Sequence, residues 1–598
     1  MPVQPFILIF RPFIYYPKIR QLVFINLYMF YVIIPKQLKF FAKFKKPPIK
    51  PLTLNQFLPM KKIALTTALF LMVAGNIFAA NLNISNVSLI GQNPVDHYIS
   101  IKFDVSWDDS WRLDYGPSNW DAAWIFVKYK AITPNWQHVL LSPDPAFMVV
   151  PAGCAVTVPP DGTGAFIYRS ASGSGNNSFT NIQIRWYYNA NGLPDDADID
   201  IKVLGIEMVY IPQGSFYAGD NGTSASCFKE GSADPDPWHI TSEAAINCSD
   251  ATTNGFYYTS SGMQNEQATG STFTIPASFP KGYNAYYIMK YEMSQEQYRD
   301  FLNLLTRQQQ QSRVAVDISG TSVTNVYVLR NSPTYGPRNS IRCNATIPAT
   351  GPITFYCEGW TDGNFDSSND NQNVPIDWIG YPDLAAYSDW AGLRPMTELE
   401  YEKACRGTRP ALSGEFAWGN TSLRNNGPYD FLNEGTATES ISLASFGIGI
   451  GNAAYSLANK PGRCGIFAYS SPNHTRQETG ATYYGVMEMS GNLSEIAVCC
   501  GTMPGYTYTG LNGNGSLTSV GDADADYWPG INGNFFGANA VYGGTVGVTA
   551  KSAMGFRGGS YATPASVLSI SDRSNANLMI VTAYRSAPNG IRACRTAQ

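Results

Sequence analysis

Two glutamates seven positions apart, Glu488 and Glu495, flank the pair Gly491-Asn492. A tight turn there would bring both carboxylates to one cation together with main-chain carbonyls, and an oxygen-only donor set of that kind suits calcium. The plain alternative is a pair of solvated surface acids. The ten cysteines offer a second chemistry. Cys227 with Cys248, and Cys343 with Cys357, bracket short polar loops and are expected as local disulfides if the compartment is oxidising. Cys499-Cys500 is a tandem whose members rarely pair with each other, so a structural role is expected for it.

Something must position these groups, and composition bounds what it is. The chain has 598 residues, 44% hydrophobic, 13% aromatic and only 14% charged. It is long enough for more than one core, and rich in Gly, Tyr and other residues of short strands and turns. Residues 60–80 combine Met60-Lys61-Lys62, an apolar run from Ile63 to Gly75 and Ala79-Ala80, the three regions of a cleavable signal peptide. That run is shorter than the ~20 residues of a membrane-spanning helix. Residues 1–59 carry basic but no acidic side chains and are expected to be a mis-called extension upstream of Met60, or else a basic membrane-associated one. Removing residues 1–80 takes away eleven of the 41 Lys/Arg and none of the 45 Asp/Glu, which leaves the rest about fifteen charges negative. Nucleic acid is thereby excluded as a partner, because phosphate binding needs clustered cations; stable membrane insertion after cleavage is not expected either.

From 81 to 203 apolar residues alternate, as in Ile99, Ile101, Phe103, Val105, Trp107 and in Ile182, Ile184, Trp186, Tyr188. Such period-two runs predict a β-sandwich of roughly seven strands, with no catalytic constellation. Helices enter after 204. Ser294 to Gln297 and Thr397 to Glu400 are capping boxes, the second opening a helix that should stop at Gly407; Tyr381 to Trp390 predicts another ending before Gly392. Two polar stretches, near 220–275 and 306–373, are expected as surface insertions.

An ordered series of motifs runs through this second region: Gly205 to Gly219, Tyr291-Glu-Met-Ser-Gln-Glu-Gln-Tyr298, Val374-Pro-Ile-Asp-Trp378, Ala391-Gly-Leu-Arg-Pro-Met-Thr-Glu-Leu-Glu-Tyr401, Tyr484 to Glu495, Phe556-Arg-Gly-Gly-Ser-Tyr561 and Gly590-Ile-Arg592. The series resembles the formylglycine-generating enzymes, or sulfatase-modifying factors. The resemblance covers about 390 residues, leaves 81–203 outside, and implies a C-type-lectin-like fold. It assigns a structural calcium to Glu488 and Glu495 by side chain and to Gly491 and Leu493 by carbonyl, and likens Asn452 to part of a second calcium site. It also implies a copper-binding cysteine pair three and eight residues past Ser560, where this chain has Thr563 and Leu568; the family's Trp after the Gly-Asn turn is Ser494. Neither Thr563 nor Leu568 supplies the thiolate that selects Cu(I), so no copper is expected. A related iron-dependent branch needs several histidines, but His97, His138, His239 and His474 are scattered.

The expected architecture is therefore α+β, a β-sandwich over 81–203 followed by a formylglycine-generating-enzyme-like domain over 204–598. The expected function is recognition or assembly by a secreted, periplasmic or cell-surface protein, with enzyme activity doubtful. An extracellular protein or glycan would meet Ser560, Tyr561, Thr563, Asp572, Arg573 and Tyr584, in a Ser/Thr/Asn/Tyr-rich stretch that also resembles the variable segment of diversified lectin-fold proteins. The rival is an enzyme with a non-cysteine active site, which would show converging Asp, Glu, Arg or Tyr and a perturbed carboxylate.

Overall fold

Strand alternation in the first region builds two facing sheets. The computed structural model describes residues 82–597 apart from 132–134, 262–265, 268, 270, 337, 361, 530–552 and 578–584; the extension, the leader and Tyr584 thus lie outside the described residues. The strands are β1 (Asn83–Asn93), β2 (Tyr98–Arg112), β3 (Asp121–Lys130), β4 (Gln137–His138), β5 (Met148–Val149), β6 (Cys154–Thr157), β7 (Ala165–Arg169), β8 (Gly173–Tyr187) and β9 (Asp200–Ile211). One sheet runs β1-β2-β8-β5. Its inward residues Ile101, Phe103, Val105, Trp107, Ile182, Ile184 and Trp186 interlock with Ile125, Val127 and Tyr129 of β3. The expected sandwich is present.

Its second sheet does not stop where the composition changes. Strands Arg394–Pro395, Ala593–Thr596 and Tyr286–Met289 continue through β9, β3, β7 and β6 as one eight-stranded sheet, with β4 paired to β3. The predicted boundary at 203/204 falls inside β9, which pairs with β3 from Asp200↔Lys130 to Val209↔Asp121. The two regions on either side of 203/204 share this sheet. Along β9, Ile201 and Val203 pack on the sandwich core. Leu204, Ile206 and Met208 face the opposite side, where Trp124, Phe126 and Phe166 belong to the main core.

Buried polar ties reinforce the joint. Trp124 Nε1 donates to the Ala391 carbonyl at 2.8 Å, and Lys128 Nζ donates to Trp390 and Gly515 carbonyls at 2.6 and 2.7 Å. Lys290 Nζ lies 3.0 Å from Glu207 and 3.5 Å from Asp121. A buried cation of this kind is tolerable only because its carboxylates are buried with it.

The helices begin and end where local chemistry requires. Gln295–Asn303 and Glu398–Arg406 each carry the full reciprocal capping box, from Ser294 and Thr397, and the second ends at Gly407 with φ 67°. Tyr381–Trp390 is helical as its flanks predict. The polar stretches are not surface insertions. Phe228, Ile240, Ile246, Phe256, Ile318, Val328, Ile341 and Phe355 from them are buried in the main core; short apolar strands inside polar sequence hide this in composition. Among the described residues no helix is long and apolar enough to cross a membrane.

All ten cysteines are unpaired and buried, so the predicted disulfides are corrected. Ile341 stands opposite Cys357 and Cys343 opposite Phe355, which leaves the two cysteines diagonal. Diagonal neighbours lie on the order of 7–8 Å apart, at or past the limit for a disulfide. Cys248 packs in the main core, whereas the Cys227 thiol turns to Asp220.

Candidate functional site

The strand Met554–Arg557 lies antiparallel to Ser494–Val498, with Glu495 opposite Arg557. At its end the chain turns through Gly558 and Gly559, with φ 78° and 65°. Gly559 is required by crowding as well as by φ. A Cβ on it would sit 2.8 Å from Thr563 Oγ1 and 2.9 Å from Leu568 Cδ1. The two side chains that the family resemblance places at its metal-binding positions therefore converge on one point. There they serve the scaffold. Thr563 Oγ1 accepts from Ser560 N–H at 2.7 Å and donates to the Ser560 carbonyl at 3.0 Å. Leu568 is fully buried among Phe416, Trp418 and Tyr455.

The other expected ligand residues divide. Ser560 and Tyr561 flank this turn, both mostly buried, and the outward rim is Ala562, Pro564 and Ser566. Asp572 is 7% exposed and accepts from the Ser574 N–H and hydroxyl. Arg573 is not available to a ligand. It is fully buried, reaching both Glu398 oxygens at 2.7 and 3.0 Å and Glu266 at 2.8 Å. Glu398 also receives Arg557 at 2.9 Å. Burial pushes the Glu398 carboxyl up, but Arg573 and Arg557 outweigh it and hold the group down at about 2. Arg573 thus works in the core as one node of an ion-pair network.

Beside Tyr561 lies a group that sequence reasoning missed. Asp377 is 1% exposed and accepts the Asn339 amide on Oδ1 at 2.6 Å. Asp377 Oδ2 and Asn339 Oδ1 are buried with no hydrogen-bond partner among the described residues. Burial raises this carboxyl to about 7, although Asn339 and the Arg330 charge pull the other way. Trp378 next to it takes φ 57°, a costly left-handed conformation for a bulky residue, with the Arg330 guanidinium 5.5 Å above its ring. The Arg330 charge acts on both Asp377 and Tyr561, which places a carboxyl, a guanidinium and a phenol in one electrostatic neighbourhood. Asp377 stood in the motif ending at Trp378; Asn339 and Arg330 came from a stretch whose composition gave no signal.

The predicted cation turn is tight, with Glu488, Gly491 and Asn492 at φ 55°, 92° and 66°. A Cβ on Gly491 would meet the Ala454 carbonyl at 2.4 Å, so glycine alone fits. Glu488 and Glu495 are 4% and 1% exposed, which overturns the solvated-surface alternative. Each binds one donor: Glu488 Oε1 accepts Gly465 N–H at 2.8 Å and Glu495 Oε1 meets Arg592 Nε at 3.3 Å. The remaining oxygen of each is buried without a partner among the described residues, a donor set that fits a hard cation. Burial raises Glu488 to about 7 and Glu495 to about 8, against the pull of Arg592. Glu292 packs beside them, accepting Leu493 N–H at 2.7 Å, and burial and Glu495 raise it too. Among the described residues no three His, Cys, Asp or Glu side chains are grouped to hold a metal, so carbonyls would have to complete any shell. Asn452 does not join this turn. Its amide donates to Gly447, Ile450 and Glu478 carbonyls and its oxygen accepts Gly447 N–H, which occupies it in closing its own loop.

No curated protein matches the chain. The model of the sulfatase-modifying factor enzyme 1-like domain matches residues 202–596, beginning within β9 and ending in the last strand. With two thirds of its length so matched, the chain belongs to the sulfatase-modifying factor enzyme 1-like domain family.

Proposed function

We propose that this chain is a family member that has given up copper oxidation and acts outside the cytoplasm in recognition or assembly. One observation carries the reading: Thr563 and Leu568 meet beside Gly559, the hydroxyl locked to Ser560 and the leucine buried. Neither offers a soft ligand, and a Cu(I) centre needs thiolates. The remaining cysteines are poor substitutes, since burial pushes Cys227 and Cys248 up to about 12 and Cys343 to about 11, away from the reactive thiolate. The leader-like residues 60–80 support export. Purified protein incubated with Cu(I), oxygen and a cysteine-containing peptide is expected to yield no aldehyde by hydrazide labelling. Aldehyde formed at one catalytic turnover or more sinks the reading.

Asp377 favours a second reading, an enzyme that uses carboxyl chemistry in the same turn. It requires turnover that follows a group titrating near 7 and vanishes in Asp377→Asn.

We further propose a structural calcium held by the free oxygens of Glu488 and Glu495 with carbonyls of Gly491 and Leu493. The sign of the pH effect tests it. Both carboxyls are raised in the folded chain, so the native state keeps protons that the unfolded chain releases above about pH 4.5. Without a cation, stability is therefore present in full below that pH and is lost as pH rises through about 8. In EDTA the melting temperature should fall by several degrees between pH 6 and 8.5. Calcium should restore it at pH 8.5 and change little at pH 6. Equal behaviour with calcium and EDTA at both pH values removes the ion from the account.

A further inference from the structure

The joint between the two regions leaves one strand edge open. Tyr286–Met289 covers β9 only from Met208 to Ile211, and the Lys290 N–H caps the Glu207 carbonyl. Main-chain groups alternate sides along a strand, so Gly205 and Val203 point their N–H and C=O the same way as Glu207. Among the described residues no strand pairs with them on that side.

A cavity of about 250 Å³ lies along this edge. Its lining comes from both faces of the sheet. Leu82 and Ile84 form one wall, and Tyr387 and Trp390 with the Gln295–Asn303 helix form the other. The cavity is thus a slot between two packed layers, and the edge of β9 is its floor. Glu207, Glu292, Glu296 and Asp300 line it, and among the described residues no Lys or Arg does. Behind them, Lys290 binds Glu207, and Arg299 reaches Glu296 and Asp300 at 3.1 and 2.8 Å. Arg299 is shared among Glu296, Asp300 and Asp366, so the negative charge of the slot is concentrated on Glu296 and Asp300. Glu296 and Asp300 keep half-open side chains, 49% and 44% exposed.

We propose that this slot takes up an extended, basic peptide segment of a partner protein, which adds as a strand to β9. The main chain would bond to Val203 and Gly205, and alternate side chains would enter the two walls. Apolar residues suit Leu82 and Ile84. Lys or Arg suits the wall where Glu296 and Asp300 neighbour Tyr387 and Trp390, through charge and ring faces together. An open edge is otherwise an aggregation hazard, which natural sheets cover. This surface is separate from the turn at Ser560, so its fate does not depend on the recognition reading.

The test uses the chain from residue 81 and two labelled octapeptides, one alternating valine with lysine, the other valine with glutamate. Only the lysine peptide is expected to bind saturably by fluorescence anisotropy, and to slow deuterium exchange in the segment 200–206. The double variant Glu296→Lys, Asp300→Lys should weaken it at least tenfold. Val203→Pro, which deletes one edge N–H, should do likewise; if it does not fold, the exchange measurement on the unchanged protein decides. Binding without protection of 200–206, binding unaffected by the charge reversal, or no binding overturns the proposal. So does a concentration-dependent dimer that protects this segment without peptide, since the edge would then belong to a second copy.

Discussion

Replacing Thr563 and Leu568 together by cysteine should give a chain that binds about one Cu(I), where the unchanged protein binds none, as read by competition against a chromogenic chelator. Thr563 Oγ1 and Leu568 Cδ1 lie 2.8 and 2.9 Å from the same point beside Gly559, so thiols at these two positions would project toward a common space. Cu(I) selects soft sulfur ligands, and deprotonation is driven by the metal itself. Leu568 is fully buried, and its truncation should cost about 2–3 kcal/mol through the space it leaves. The variant must therefore be compared with each single one. Either single variant supplies only one thiolate and should bind far more weakly. If the double variant binds no tighter than the singles, the two positions do not form a metal site and the sequence-based correspondence fails.

What could be read from the residues beforehand follows the range of the interaction that decides each feature. Helix starts depend on contacts three residues apart, so Ser294 and Thr397 announced them correctly. Strand alternation shows which face is buried, and Ile101 through Trp107 are buried as expected. It does not show which sheet a strand joins. β9 alternates across 203/204 without interruption, and the motif that begins at Gly205 marks where a family starts rather than where a sheet ends. Arg573 looked ligand-facing in a polar stretch because its partners Glu398 and Glu266 are 175 and 307 positions away. Asp377 was visible in a motif, but its hydrogen-bond partner is Asn339, 38 positions earlier. The cysteines teach the same lesson at short range: nearness along the chain says nothing about register, and Cys343 and Cys357 miss each other by two positions.

The shared sheet leads to the largest structural effect. A chain beginning at residue 204 should fail to fold, giving insoluble protein or a species without a cooperative melting transition, while the chain from 81 should melt in a single calorimetric transition. The cut removes the first four of the twelve residues of β9 and takes away β3, its partner from Asp200 to Val209. It also strips Trp124, Phe126 and Phe166, each no more than 3% exposed, from the core that includes Ile206 and Met208. Burying such side chains is worth roughly 2–3 kcal/mol apiece, so these three alone amount to a large share of the ~5–15 kcal/mol by which domains are stable. Lys290 and Glu207 would lose Asp121, and the Ala391 and Tyr484 carbonyls would lose the Trp124 and Asn119 donors. Moving the cut to 199 keeps β9 whole but leaves its β3 edge bare, so it should rescue little. A soluble, cooperatively melting fragment from 204 would mean that the second region carries its own complete core and that the joint sheet is a docking contact. In that case Lys290→Ala in the longer chain should split its melting into two transitions, whereas with a shared core it lowers one transition and leaves it single.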